Sequence, residues 1–200
     1  MPRAFKATAV AAAAVFAALA VLFASHHSLW GENRVADLLA NSSPRELGWW
    51  ALGLTQPTHF FVALGVLGVG ALWVSWRESI LLVLGLGGAA IANDRILKPL
   101  IGRIKGHGYA FPSGHASAAC LISAGVVLLV YWLGAKRRYV VLAIVSALAY
   151  AAVVEWWLLS KRYHYPADVL GSLCYGILVA AALHLVHLRS VARRKGVSQK

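Results

Sequence analysis

Long apolar runs separated by short polar stretches dominate this chain of 200 residues. Six of these runs are about 18 to 22 residues long, which is the length that a helix needs to cross roughly 30 Å of hydrocarbon. They lie near residues 6–25, 58–76, 79–97, 116–133, 139–159 and 167–187. The pattern predicts an all-α, polytopic membrane protein in which six transmembrane helices form one domain over residues 1–200.

The segment 26–57, between the first two runs, has a different pattern. It mixes polar residues with Trp30, Trp49 and Trp50, and tryptophan favours the headgroup level of a bilayer. We therefore expect an interfacial helix-turn-helix here and not a span.

The first apolar run has two interpretations. Arg3 and Lys6 precede an alanine-rich stretch, as in a signal peptide. The run is longer than the apolar region of a typical signal peptide, so a retained helix is favoured.

Composition supports the membrane assignment, because 60% of the residues are hydrophobic, only 13% are charged and the mean hydropathy is +0.69. The formal net charge of +12 is compatible with nucleic-acid binding. However, the cations fall in short clusters between apolar runs, which is typical of membrane topology and not of a nucleic-acid surface. Cys120 and Cys174 lie inside predicted spans without ligand spacing, so we expect no metal and no cofactor.

The cations also predict an orientation. With a cytoplasmic amino terminus, the positive-inside rule accounts for Arg3, Lys6, Arg77, the cluster 136–138 and the carboxy-terminal cations. The main exceptions crowd the connections 98–115 and 160–168. We expect an inner (plasma) membrane protein of the cell envelope with both termini in the cytoplasm and a functional site on the non-cytoplasmic face.

The first candidate motif is Phe111-Pro112-Ser113-Gly114-His115. Ser113 suits the N-cap of the helix that follows, and exposed N–H groups at such a helix start bind anions. Gly114 permits close backbone approach, and the Ser113 hydroxyl can donate a further hydrogen bond. The motif predicts a phosphate site.

The second candidate motif is His164-Tyr165-Pro166-Ala167-Asp168. Pro166 suits the first turn of a helix, and the spacing allows Asp168 to hold the His164 imidazole so that its other nitrogen can attack. His115 is a candidate general acid. Cations that could neutralise phosphoryl oxygens without a metal are Lys98, Lys105 and one or more of Arg103, Lys161 and Arg162.

Three stretches, 98–105, 112–115 and 164–168, resemble the signatures KxxxxxxRP, PSGH and SRxxxxxHxxxD of the type-2 phosphatidic acid phosphatase superfamily. The resemblance implies metal-independent hydrolysis of lipid phosphates. It also implies the following roles: His164 as the nucleophile that forms a phosphohistidine, Asp168 as its partner, His115 as general acid, and Lys98, Ser113 and Gly114 as phosphate ligands.

The chain departs from these signatures in two places. Lys105-Gly106 stands where Arg-Pro is usual, which replaces a bidentate fork with a point charge. Trp157 and Leu158 stand at the usual Ser-Arg pair. Either a shortened turn brings Arg162 or Lys161 to the phosphate, or that contact is lost; Arg103 is another substitute.

Near the same boundary, Asp94 and Glu155 are expected to neutralise cations, since an unpaired charge in a span is costly. Asp94 is four residues before Lys98, and Glu155 is expected to hold Lys161 or Arg162. His107 lies in the same connection as the first motif and is a weaker candidate for substrate contact.

Three functions stay open at this point. The first is a lipid phosphatase acting on a polyprenyl pyrophosphate or phosphate, phosphatidylglycerophosphate or phosphatidic acid, and an outward-facing site favours the polyprenyl carrier. The second is a lipid phosphotransferase that uses the same histidine. The third is a non-catalytic protein that binds anionic lipid. The pattern does not determine the oligomeric state or the role of segment 26–57.

Overall fold

Helices make up almost all of the computed structural model, which describes residues 3–25, 31–40, 42–106 and 108–197. His107 and Trp30 lie outside these residues, as does the side chain of Trp49. The helices in the described part are α1 (Arg3–Ser25), α2 (Glu32–Leu39), α3 (Arg45–Gly53), α4 (Pro57–Ala71), α5 (Trp76–Ala92), a π-helical turn (Asn93–Leu97), α6 (Lys98–Ile101), α7 (Gly114–Trp132), α8 (Arg137–Ser160) and α9 (Pro166–Val197). A short antiparallel pair, β1 (Ile104–Lys105) and β2 (Gly108–Tyr109), joins α6 to α7. The predicted all-α class is confirmed.

Five helical stretches among the described residues are long and apolar enough to cross a membrane. They are Lys6–Ala24, Trp76–Ile101, Gly114–Trp132, Arg137–Ser160 and Pro166–Arg194. The predicted span at 58–76 is shorter than expected, because α4 has 15 residues, or about 22 Å of helix. It qualifies as a sixth span only together with α3, from which it is bent by 48°.

The start of the next helix, α5, explains why α4 ends early. Ser75 precedes α5 and its hydroxyl donates to Glu78, which is the Ser-x-x-Glu arrangement that marks a helix N-terminus. Residues 72–75 therefore turn back and α5 begins at Trp76. The sequence pattern had assigned this turn to the second span.

The helix α7 is central, since it packs against α4, α5, α8 and α9, while α1 packs on α9. Leu121 of α7 belongs to one apolar cluster with Leu64 of α4 and with Leu82 and Leu86 of α5, and all four are almost completely buried. Because successive long helices run in alternate directions, the end of α5, the start of α7, the end of α8 and the start of α9 share one end of the bundle. Both candidate motifs lie there.

Segment 26–57 forms two short helices in its described part, α2 and α3, which pack against α8. Trp156 Nε1 donates to Ser42 Oγ at 2.9 Å, and the Tyr150 hydroxyl donates to the Ala51 carbonyl at 3.3 Å. Two short helices are therefore present in this segment and are held to the bundle by specific hydrogen bonds; their interfacial position stays a prediction.

Candidate active site

His164 and Asp168 meet at the start of α9, as their spacing predicts. Nδ1 of His164 lies 3.5 Å from Oδ2 of Asp168, whose side chain is completely buried. The same oxygen accepts the backbone N–H of Tyr165 at 2.9 Å. The carboxylate therefore caps the helix and faces the imidazole, at a distance longer than a hydrogen bond.

Arg103 lies directly behind this carboxylate and is 0% exposed. Nη1 donates to Oδ1 of Asp168 at 2.8 Å, and Nη2 donates to Oε2 of Glu32 at 2.5 Å. The guanidinium also lies over the rings of Phe23 and Tyr165, at 3.7 Å and 4.8 Å from their centroids. Both terminal nitrogens donate to carboxylates, so the structure places Arg103 behind the His164–Asp168 pair. Its contact with phosphate stays a prediction.

The start of α7 is fastened to the start of α9. Ser113 is the N-cap, as predicted, and its Oγ accepts the N–H of Ala116 at 3.3 Å. The Ser172 hydroxyl lies 3.1 Å from the carbonyl of Ser113 and 2.9 Å from that of Asp168. The two motifs, about fifty residues apart in the sequence, are thereby held in one place.

Phe111 anchors the loop before α7. It is completely buried, and its ring packs on Phe23 with 4.9 Å between centroids. A Cβ on Gly171 would overlap the Phe111 ring, so glycine is needed for this close approach of the loop to α9.

Lys98 and Gly114 line a cavity of about 270 Å³ between α4, α5 and α7. A Cβ on Gly114 would lie 2.9 Å from Nζ of Lys98, so the ammonium occupies the space beside the first residue of α7. Nζ also pairs with Oδ1 of Asp94 at 2.6 Å, as the four-residue spacing predicts. A cation and the positive end of a helix thus converge on one wall of the cavity.

His115 lines the same cavity. It lies at the start of α7, which the Ser172 hydroxyl ties to the start of α9 and so to the His164–Asp168 pair. The predicted nucleophile and the predicted general acid therefore lie at the same end of the bundle.

Lys105 approaches the site from the β1–β2 hairpin, with Nζ 3.8 Å from the centroid of the Tyr165 ring. Burial lowers the pKa of Lys105; the charge of Asp168 acts against this effect, and the nearby Arg103 adds to it. Lys105 is therefore a cation at the edge of the site that loses its proton at a lower pH than an ordinary lysine does.

The cations near the third signature contact other groups of the protein. Arg162 pairs with Asp37 of α2 at 2.7 Å, where both side chains are more than half exposed. Lys161 donates to the Ser43 carbonyl at 2.9 Å. The expectation that Glu155 holds one of them is wrong, since its carboxylate lies beside Cys120 Sγ at 3.8 Å. The phosphate contact of Arg162 stays a prediction.

Comparison with known proteins adds to this geometry. The sequence model of the PAP2 superfamily matches residues 7–192. The chain belongs to the PAP2 superfamily. A crystal structure of a transmembrane PAP2-type phosphatidylglycerolphosphate phosphatase from Bacillus subtilis superimposes with a TM-score of 0.75 over 91% of this chain and 96% of that chain, at 19% sequence identity. That likeness shows the fold, and no curated protein sequence matches significantly. The family resemblance read from the motifs is confirmed.

In this PAP2 protein the structure adds residues that the motifs do not contain. Glu32 binds Arg103, Ser172 joins the two helix starts, and Asn93 and Ser117 line the cavity. Ser172 follows Asp168 by one helical turn, and this spacing could have identified Ser172 from the sequence. Glu32 gives no signal, because its partner is 71 residues away.

Among the described residues, no group of three or more His, Cys, Asp or Glu side chains is placed to hold a metal ion. Metal-independent chemistry stays a prediction of the motifs for this PAP2 protein.

Proposed function

We propose that this PAP2 protein is an integral membrane phosphatase that hydrolyses the phosphomonoester or pyrophosphate of a membrane lipid through a phosphohistidine at His164. The observation that carries the proposal is the convergence of His164, His115 and Lys98 at one end of the bundle, beside a cavity whose inner walls are apolar. A phosphate can reach the polar end while its hydrocarbon chain stays among the helices.

The reaction has two steps. In the first, Nε2 of His164 forms a bond to phosphorus while the bond from phosphorus to the lipid oxygen breaks, and His115 donates a proton to that oxygen. In the second, water attacks phosphorus, His115 accepts its proton, the N–P bond breaks and inorganic phosphate leaves. For a pyrophosphate, the leaving group is the lipid monophosphate.

Asp168 orients the nucleophile. It faces Nδ1 of His164 and so leaves Nε2 for attack. The 3.5 Å separation is of the kind that commonly shortens when substrate binds. Arg103 holds the other carboxylate oxygen, which fixes the direction from which Asp168 approaches the ring.

Lys98, Lys105 and the N–H groups at the start of α7 neutralise the phosphoryl oxygens in this proposal. Phosphoryl transfer requires mainly positioning and electrostatic stabilisation, so two lysines and a helix start are a sufficient set. The Ser113 hydroxyl can donate a further hydrogen bond while its oxygen caps α7.

The cation distribution supports the orientation that we propose. Arg77 and the cluster 136–138 lie at the starts of α5 and α8, and Arg189, Arg193 and Arg194 lie near the end of α9, all at the end of the bundle opposite the site. The positive-inside rule then puts both termini in the cytoplasm and the site on the non-cytoplasmic face of the plasma membrane.

Phosphate release by purified protein in detergent tests the function. The substrates are a prenyl pyrophosphate and phospholipid monoesters, each assayed with a chelator present, and His164→Ala is the inactive variant. We expect release that survives chelation and falls more than about 10³-fold in that variant. His59→Ala is the matched control, because the His59 ring contacts the Gly53 carbonyl and does not line the cavity.

Trapping the intermediate gives a second readout. Substrate labelled in the transferred phosphate should leave an acid-labile label on the wild type and none on His164→Ala. A folded protein that releases no phosphate from any lipid contradicts hydrolysis. Release that depends on an added lipid or sugar alcohol identifies a phosphotransferase instead.

A further inference from the structure

Two buried polar side chains in the cavity have no hydrogen-bond partner among the described residues. They are Asn93, at its Oδ1, and Ser117, at its Oγ. Each residue is 1% exposed, and both line the cavity that holds Lys98 and His115. Buried polar groups are nearly always hydrogen-bonded, so two side chains without a hydrogen-bond partner in the same cavity require an explanation.

Neighbouring polar groups show that the local structure does not prevent pairing. The Thr55 hydroxyl also lines the cavity and donates to the Leu52 carbonyl at 2.8 Å. On α7, the Ser123 hydroxyl donates to the Ala147 carbonyl at 3.2 Å. Asn93 and Ser117 thus differ from comparable side chains nearby, and a bound molecule is the partner that the cavity allows.

The depth of the two side chains indicates what that molecule contains. Asn93 lies about one turn deeper along the α5 direction than Lys98, and Ser117 lies three residues, or about 4.5 Å, deeper in α7 than Gly114. Beyond them the cavity walls are apolar, at Phe60, Ala90 and Ala118. From mouth to interior the cavity is therefore charged, then neutral and polar, then apolar.

The chemistry of the pair is specific for a hydroxyl group. An amide oxygen only accepts, so Asn93 Oδ1 requires an O–H or N–H donor, while the Ser117 hydroxyl can donate to the same oxygen. Neither carries a charge that would match a second phosphate. A prenyl pyrophosphate passes from phosphate directly into hydrocarbon and would leave Asn93 Oδ1 without a donor.

We propose that Asn93 and Ser117 bind a free hydroxyl on the alcohol that carries the phosphate, so that the preferred substrate is a glycerolipid phosphomonoester with a hydroxyl one carbon from the ester carbon. This inference rests on the proposed function and narrows its substrate class. The two side chains set specificity, while the phosphate ligands and both histidines act on either kind of lipid.

A pair of substrates that differ in one hydroxyl tests the inference. Lysophosphatidic acid has a free hydroxyl beside its phosphate ester, and its 2-deoxy analogue has the same phosphate and the same acyl chain without it. A site that binds a hydroxyl rejects the analogue that lacks it. We expect wild-type kcat/KM to be at least about 10-fold higher for lysophosphatidic acid than for the deoxy compound, and about 10-fold is the effect of one hydrogen bond of this kind.

Ser117→Ala and Asn93→Leu should each reduce this preference toward 1 by lowering activity on the hydroxyl substrate alone. Because Asn93 Oδ1 and Ser117 Oγ have no hydrogen-bond partner among the described residues, neither change should lower the thermal unfolding temperature. Ser123→Ala is the matched control on the same helix and should keep the full preference. Lys98→Ala should lower activity on both substrates by the same factor.

The possible results distinguish failure of the hydroxyl subsite from failure of the proposed phosphatase function. If the wild type hydrolyses both substrates equally well, or if the two variants lose activity on both equally, the hydroxyl subsite is refuted and the phosphatase stands. If the variants unfold at lower temperature with the preference unchanged, the two groups hold structural water, and the subsite is again refuted. If no lipid phosphate is hydrolysed, the proposed function itself fails.

Discussion

Replacing Arg103 with methionine removes a charge that lies between two buried carboxylates. Asp168 is 0% exposed and Glu32 is 6% exposed, at 2.8 Å and 2.5 Å from the guanidinium. Methionine retains the length and apolar volume of the stem, so the ring contacts of the side chain are partly kept. The change isolates the loss of the cation.

The expected cost is large, because breaking a buried ion pair by removing one partner leaves a charge without compensation. Such changes cost about 3–5 kcal/mol. For a chain of this size, 1 kcal/mol corresponds to roughly 2–4 °C in the unfolding temperature. We expect Arg103→Met to lower that temperature by about 6–20 °C.

Glu32→Gln is the matched comparison, because it removes one carboxylate and leaves Arg103 paired with Asp168. One charge-assisted hydrogen bond is then weakened, at a cost of about 1.5–3 kcal/mol. The double variant is the decisive one. Once Arg103 is gone, the Glu32 carboxylate no longer gains from this ion pair, so Glu32→Gln should cost less in the Arg103→Met background than in the wild type.

Thermal unfolding of the three variants in one detergent, followed by tryptophan fluorescence, measures these differences. Phosphate release measured on the same samples should fall in Arg103→Met, because Asp168 loses the partner that fixes its direction. A drop of less than about 3 °C for Arg103→Met, or additive losses in the double variant, would refute a buried network that supports the nucleophile.

Two further predictions concern the proposed phosphate ligands. Gly114→Ala places a Cβ 2.9 Å from Lys98 Nζ, and the lysine side chain must move away. We therefore expect kcat/KM to fall about 10- to 100-fold with little change in unfolding temperature. Gly88→Ala is the control, because Gly88 lies in open space on α5, and it should keep full activity. Burial lowers the pKa of Lys105, so a phosphate-binding charge is lost as pH rises through that lowered value, and activity should fall on the alkaline side. The unfolded chain binds this proton more tightly, so stability should rise with pH in the window between the lowered pKa and 10.5. Lys105→Arg should remove both trends, because arginine stays charged; pH profiles of activity and unfolding that match the wild type would contradict this role.

Local features of the site could be predicted from the sequence, because each depends on neighbouring residues. The N-cap at Ser113, the pairing of Asp94 with Lys98 and the approach of Asp168 to His164 all follow from spacings of three or four residues, which the helix converts directly into contacts. Hydropathy located five of the six spans for the same reason, since span length is a local property.

Long-range features could not be predicted. A positive charge beside a phosphate motif suggests a phosphate ligand, but whether Arg103 contacts phosphate or carboxylate depends on α2, whose position no local pattern fixes. The same holds for Arg162, which the structure pairs with Asp37. The end of α4 was missed because an apolar turn and an apolar helix have the same hydropathy, and only the Ser75–Glu78 helix start separates them.

Arg103 and Arg162 bind the same helix, and this assigns a role to the segment that the sequence left undefined. Glu32 and Asp37 are five residues apart in α2, where one binds Arg103 and the other binds Arg162. The exposed pair at Asp37 contributes little, about 0–1 kcal/mol, whereas separation of Glu32 from Arg103 would break an ion pair between two buried side chains. A substrate lid must open at small cost, and α2 would open only by breaking the Glu32–Arg103 ion pair behind Asp168. The segment is therefore part of the frame that holds the His164–Asp168 pair.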